Sequence, residues 1–366
     1  MPCAGSPSSS SLPPEALSPE RALARGVWVK WIGGASNQDL AAIEDLAGIY
    51  ALAGVHCLDV AADPAVVAAA RRGVAWARGH GAASPWLMVS LSDGADPHFR
   101  KAWFDPARCP ATCPRPCERV CPAQAIAPPG PGAGGVLTDR CYGCGRCLPA
   151  CPLALISERD QQLPPGAVAP LLAELQPDAV ELHTRLGRAG AFAQRLQQLR
   201  ASGVALQRVA VSCGLEPAAG ERQAAMPATP QQLAAELWQR FGLLRAAGYK
   251  AIWQLDGRPM SGDVGAGTAH AAVNLALAVA AAAPPGPLQL AGGTNAHTLE
   301  VLGRHGQRGR AVQGVAFGGM ARSLLQPLLL QAQERGLSLL AAGDLWPQAL
   351  KLARGVVQPW LERQRR

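Results

Sequence analysis

Eight of the chain's eleven cysteines fall between Cys109 and Cys151, and no other stretch restricts the fold so strongly. The second half of that stretch reads Cys141-x2-Cys144-x2-Cys147-x3-Cys151-Pro152. Three closely spaced cysteines followed by a Cys-Pro pair is the spacing of iron–sulfur ligation. Soft thiolates suit such clusters, and one tight loop can supply several of them. The first half is looser, with Cys109, Cys113, Cys117 and Cys121 each four residues apart and Pro122 after the last. Both halves end alike, Cys121-Pro-Ala-Gln-Ala-Ile126 against Cys151-Pro-Leu-Ala-Leu-Ile156, as an internal duplication would leave them.

A doubled run of this kind predicts two 4Fe–4S clusters in a bacterial-type, ferredoxin-like arrangement. There the fourth cysteine of each run ligates the other cluster. The expected ligand sets are therefore Cys141, Cys144, Cys147 and Cys121 for one cluster, and Cys109, Cys113, Cys117 and Cys151 for the other. Disulfides would require an oxidising compartment, and nothing in the sequence indicates export. All-thiolate zinc sites usually pair CxxC knuckles across a long loop, unlike three cysteines ahead of Cys-Pro.

A chain of 366 residues is too long for a ferredoxin alone, and 49% hydrophobic content supports a large additional core. The net charge of +8 invites a nucleic-acid reading, yet only four lysines are present and the charge is not clustered. Two oxidised clusters with their thiolates, at about −2 each, would halve the excess. No nucleic-acid partner is expected. The Ser/Pro/Ala-rich first residues lack an apolar signal segment, and the longest apolar run, 275–283, is too short to span a membrane. A cytoplasmic location is expected. Cys3 lies in the tail outside any motif, Cys57 reads as a core residue, and Cys213 ends a strand.

Away from the cysteines, apolar runs alternate with helical periodicity. Strands are predicted at 27–32, 55–60, 86–91, 179–183, 206–212, 250–255, 288–291 and 312–317. The helices between them include 39–53, 189–200, 230–247, 268–282 and 324–335, and another at 347–361 closes the chain. Eight strand–helix units predict a (β/α)8 barrel, with a doubly wound parallel sheet as the alternative. The implied organisation is a disordered tail over 1–25, barrel over 26–104, a ferredoxin-like insertion over 105–158, and the remaining barrel and terminal helix over 159–366. An insertion after the third strand leaves from the face where barrels place their sites.

Two glycine pairs end the last two strands: Gly292-Gly293-Thr294, and Gly318-Gly319. Loops after strands seven and eight often hold phosphate, because glycines bare the backbone N–H groups near a helix N-terminus. The pair is similar to the phosphate grip of FMN-binding barrels such as dihydroorotate dehydrogenases, although tight turns alone also call for glycine. FMN is thus a candidate cofactor. Asn37, Asp63, Asp93, His183, Asp256 and Asp263 would share these strand ends, and Lys30 would reach the barrel mouth. Asp63 is adequately explained as an N-cap before Pro64. His183 is the best acid/base candidate, with a hydrogen-bonded structural role as its alternative. Cys213 is a conceivable nucleophile without an evident base. No complete catalytic constellation emerges.

Several longer stretches carry a resemblance to one family. Gly34–Leu40, Ala51–Pro64, Pro85–Pro106, both cysteine runs and Gln254–Asp263 look like the cyanobacterial light-dependent period protein A (LdpA) family. The resemblance covers nearly everything after the tail. It implies an iron–sulfur protein, with ligands at the eight cysteines named above, in redox-dependent light input to the circadian clock. It further implies clock proteins and an input histidine kinase as partners. The favoured function is a redox sensor that exchanges electrons with ferredoxin or the quinone pool. A flavin-dependent oxidoreductase with a wired-in ferredoxin domain is the enzymatic alternative, and a binding module with structural clusters is the third.

Overall fold

The computed structural model describes residues 17–130, 133–161, 163–215, 228–258 and 265–363. Cys3, Asp263 and most of the expected N-terminal tail lie outside these residues. The chain opens with α1 (Pro19–Arg25), β1 (Trp28–Gly34), α2 (Leu40–Ala53), β2 (Cys57–Ala61), α3 (Pro64–Gly79) and β3 (Trp86–Ser92). An insertion follows: β4 (Arg100–Trp103), α4 (Pro116–Arg119), β5 (Ile126–Gly130), β6 (Ala133–Val136), α5 (Cys147–Ala150) and β7 (Ser157–Asp160). The alternation then resumes with α6 (Pro165–Leu175), β8 (Ala179–His183), α7 (Ala189–Ala201), β9 (Arg208–Cys213), α8 (Pro230–Ala247) and β10 (Ala251–Asp256). It ends with α9 (Ala269–Ala280), β11 (Leu288–Ala291), α10 (Thr298–Gly303), β12 (Val312–Phe317), α11 (Gly319–Glu334) and α12 (Trp346–Leu361).

Eight parallel strands close in the order β1-β12-β11-β10-β9-β8-β3-β2. Because β1 pairs with both β2 and β12, the sheet has no open edge and the doubly wound alternative is excluded. The starts of the helices follow local chemistry. Asp63 accepts from the Ala65 and Val66 N–H groups ahead of α3, and Thr229 with Gln232 forms a capping box on α8.

Part of the expected tail, Pro19–Arg25, is helical. Ser18 caps α1, whose Ala22 and Leu23 are buried with Trp28, Cys57, Met88, Ala179, Ala210 and Ile252. Since most of these residues begin barrel strands, α1 closes the floor of the barrel. Cys57 is the core residue that was expected.

The insertion stands on an antiparallel neck, β4 with β7, and carries a second antiparallel pair, β5 with β6. It is fastened to the barrel at several points. Gln38 donates its N–H to the Asp139 carbonyl, and Lys101 Nζ donates to Gln38 Oε1 and to the Thr138 carbonyl.

Candidate functional site

Two repeats of one local structure build the cysteine domain. The short helices α4 and α5 contain Cys117 and Cys147, each the third cysteine of its run and each buried. After the fourth cysteine, Gln124 and Ala154 both take the left-handed conformation, with φ of 48° and 49°. That turn aims the next N–H at sulfur: Ala125 N–H donates to Cys121 Sγ at 3.2 Å, and Leu155 N–H to Cys151 Sγ at 3.4 Å. The duplicated Cys-Pro endings of the sequence are therefore the same turn twice. Ala102 on the neck adds a third such bond, to Cys141 Sγ at 3.4 Å. Gly143 (φ +72°) is required where it stands, since a Cβ there would meet the Arg100 carbonyl oxygen at 1.9 Å.

The sulfurs fall into two electrostatic neighbourhoods. Burial, together with the nearby charges of Cys144, Cys141 and Cys121, pushes the Cys147 thiol up to about 12. Burial likewise raises Cys109 and Cys117; Cys113 and Cys151 act on the first, Cys151 on the second. Cys121, Cys141, Cys144 and Cys147 also line a single cavity. Thiols held protonated by burial and by one another need a cation to become ligands. An all-thiolate donor set of this kind fits an iron–sulfur core, and bonds from backbone N–H groups to cluster sulfurs help set reduction potentials.

Beneath the insertion, the barrel interior holds a connected polar network. Lys30 Nζ lies 2.8 Å from Asp59 Oδ2 and pairs also with Glu181; all three are buried. Asp59 also accepts from Ser90, and Glu181 from Gln254 Nε2 at 2.8 Å. Glu181 Oε1 meets His183 Nε2 at 3.0 Å, and His183 Nδ1 faces Asp96, which binds His98 Nδ1 at 2.8 Å. Across the mouth, Asp256 accepts from Ser212 at 2.6 Å. Burial and the Glu181 charge raise Asp59 to about 7, while Lys30 and His183 hold Glu181 ionised against its burial. His183 is raised to about 9 because the Glu181 hydrogen bond and charge outweigh desolvation. Burial, with Glu181 nearby, lifts Asp256 to about 6.

Both halves meet in one cavity at the barrel mouth, about 770 Å³ including its opening. Glu181, His183, Asp256, Gly292, Thr294, Gly318 and Gly319 line it from the barrel, and Tyr142 and Cys144 from the insertion. Arg322, at the start of α11, donates to the Gly33 carbonyl and places its guanidinium 4.4 Å from the Tyr142 ring.

Several expected roles change. Lys30 does not reach the mouth; it is enclosed inside the barrel by two carboxylates. Gly292 and Gly293 have positive φ, and a Cβ on either would strike the carbonyl oxygen of Arg258 or Thr268, which is a packing reason for glycine at both positions. The Thr294 hydroxyl is spent on the Ala316 carbonyl. Asn37 bonds the Gly33 carbonyl, and Asp93 binds Thr184 and Arg188. Cys213 is buried, with its thiol pushed up by burial, which is the wrong direction for a nucleophile. Asp59, Asp96, His98, Glu181, Gln254 and Arg322 were not anticipated. For Asp59, Glu181 and Gln254 the available signal was a polar residue inside an otherwise apolar strand.

Fold and site together define a (β/α)8 barrel with a cysteine-rich, iron–sulfur-binding insertion over its mouth. A model of the LdpA Fe-S cluster-binding domain matches residues 109–162, and one of the light dependent period A C-terminal domain matches 171–359. Light dependent period A of Synechococcus elongatus is 48% identical over 346 residues, 93% of each chain. The chain belongs to the light dependent period A family. Among solved structures, it is similar to (S)-3-O-geranylgeranylglyceryl phosphate synthase from Thermoplasma acidophilum (10% identity, 93% of this chain and 98% of that one, TM-score 0.41). It is also similar to tryptophan synthase of Mycobacterium tuberculosis (11% identity, 92% and 93%, TM-score 0.39). No described helix is long and apolar enough to cross a membrane.

Proposed function

We propose that the chain is a redox sensor in the light input to the circadian clock, carrying two 4Fe–4S clusters on the ligand sets Cys121/Cys141/Cys144/Cys147 and Cys109/Cys113/Cys117/Cys151. The observation that carries this reading is the position of Cys144, which lines both the cysteine cavity and the cavity at the barrel mouth. One electron added at that cluster changes the charge beside Tyr142 and the buried Arg322 by one unit. In a poorly hydrated wall such a change is substantial. The altered mouth would then be read by a partner, a clock protein or the input histidine kinase, with ferredoxin or the quinone pool as electron source in the cytoplasm.

Anaerobically purified protein is expected to show a broad brown absorbance that bleaches with dithionite. Cys144→Ser should retain about half the iron, because it removes a ligand from one of two clusters. Full iron retention in that variant would refute the ligand assignment, and a colourless zinc protein would refute the redox reading. The second reading, an FMN-dependent oxidoreductase, is favoured by Gly318–Gly319 at the N-terminus of α11, on the wall of the mouth cavity. Resolved flavin bands in the same spectrum would select it.

A further inference from the structure

A second set of ligand-type side chains sits at the barrel mouth, apart from the cysteines. Asp96 caps the short turn Pro97–Phe99 that carries His98, and β8 ends on His183. Asp96 Oδ1 lies 2.8 Å from His98 Nδ1 and 3.8 Å from His183 Nδ1. Among the described residues, this is the one trio of His, Cys, Asp or Glu whose ligand atoms all lie within 4.8 Å of one another. Two imidazoles and a carboxylate around one point suit first-row divalent ions, and three protein ligands leave further positions open.

Two independent features support such a site. The Nε2 of His183 is bonded to Glu181 at 3.0 Å, and Glu181 is anchored in turn by Lys30 and Gln254. Metal-binding histidines characteristically donate their second ring N–H to a carboxylate in this way, which fixes the tautomer and the ring. The trio also borders open space: His98 and His183 line both the mouth cavity and a smaller neighbouring one, which Asp96 lines as well. The competing account is a protonated His183 shared between Asp96 and Glu181, with no ion bound.

We propose that Asp96, His98 and His183 bind a divalent first-row transition metal ion, with open positions facing the mouth cavity for an oxygen-donor ligand such as a carboxylate or phosphate. This site is independent of the cluster reading, since it contains no thiolate. The probe is manganese(II), which prefers nitrogen and oxygen donors and leaves the cysteines alone. Cluster-loaded protein is titrated anaerobically while the free-manganese paramagnetic resonance signal and the cluster absorbance are both followed. One equivalent should disappear from the free signal with the cluster spectrum unchanged. His98→Ala, at a side chain 31% exposed and so tolerant of truncation, should weaken binding at least about tenfold. Asp96→Asn should do the same. An undiminished free signal with the wild type, or equal binding by the wild type and His98→Ala, would overturn the site. A missing cluster spectrum would count against the redox proposal alone.

Discussion

The barrel and its insertion bury polar and reactive groups by opposite means. Inside the barrel, Lys30, Asp59, Glu181, Gln254 and Gln289 satisfy one another, and a continuous apolar layer between strands and helices surrounds them. Among the described residues, the apolar core of the insertion is Ala102, Phe104, Cys117, Ala125, Cys141, Cys147 and Ile156, and three of them are cysteines. Its sulfurs repel one another when ionised, and the nearby Arg115, Arg146 and Lys101 offset this only in part. The barrel is organised by its own side chains, whereas the insertion requires an external cation. Small domains that cannot bury enough surface depend on such staples.

The largest test of this contrast is removal of iron by a chelator under oxidising conditions. The insertion should open while the barrel persists, because metal binding and folding are one free energy in such modules. Trypsin should then cut at Arg108, Arg119, Arg140 and Arg146 at least tenfold faster, with little loss of helical circular dichroism. Equal resistance with and without iron would show that the insertion folds on its apolar core alone.

Next in size is Lys30→Met. The substitution leaves Asp59 and Glu181 buried without their shared cation. Breaking a buried ion cluster by removing one member typically costs about 3–5 kcal/mol. The urea midpoint of iron-loaded protein, followed by tryptophan fluorescence, should fall accordingly, since Trp28 and Trp253 report on the barrel. A loss below about 1 kcal/mol would mean that proton uptake by the carboxylates replaces the ammonium, and that the network is less self-sufficient than its geometry implies.

What the sequence disclosed divides along the same line. Cysteine spacing is a local pattern, so the sequence alone singled out the eight cysteines that the insertion gathers. Strands β8, β11 and β12 were placed at their observed limits because each is a compact apolar run between breakers. The neck was invisible, since Ser157–Asp160 is polar and exposed throughout and pairs only with β4. Helix α1 was hidden in a Ser/Pro-rich segment, although Ser18-Pro19-Glu20 is a proper helix start. Helix α11 begins at Gly319 rather than near 324, because a double glycine reads as a turn. The barrel network was the least legible part. Lys30 and Glu181 are 151 positions apart, and only closure of the sheet brings them together. Asp96 and His98, in a loop of polar residues, had no pattern of their own.

The finest test uses pH. In the native barrel, burial and Glu181 hold Asp59 at about 7, against 3.8 for an exposed aspartate. The folded state therefore binds more protons at Asp59 than the unfolded state does across this interval. Stability is greatest below the lower value and is lost as pH rises through the upper one. Iron-loaded protein should become less stable by roughly 1–3 kcal/mol between pH 5 and pH 8, as judged from urea midpoints followed by tryptophan fluorescence. Asp59→Asn keeps the shape and the Ser90 contact but cannot titrate, so its midpoint should fall less than the wild type's over that range, leaving the part due to His183 and Asp256. A wild-type profile no steeper than the variant's would place the shared charge wholly on the Lys30 pair with both carboxylates ionised. Lys30 would then be balancing two full charges, and the Lys30→Met loss should lie at the upper end of its range.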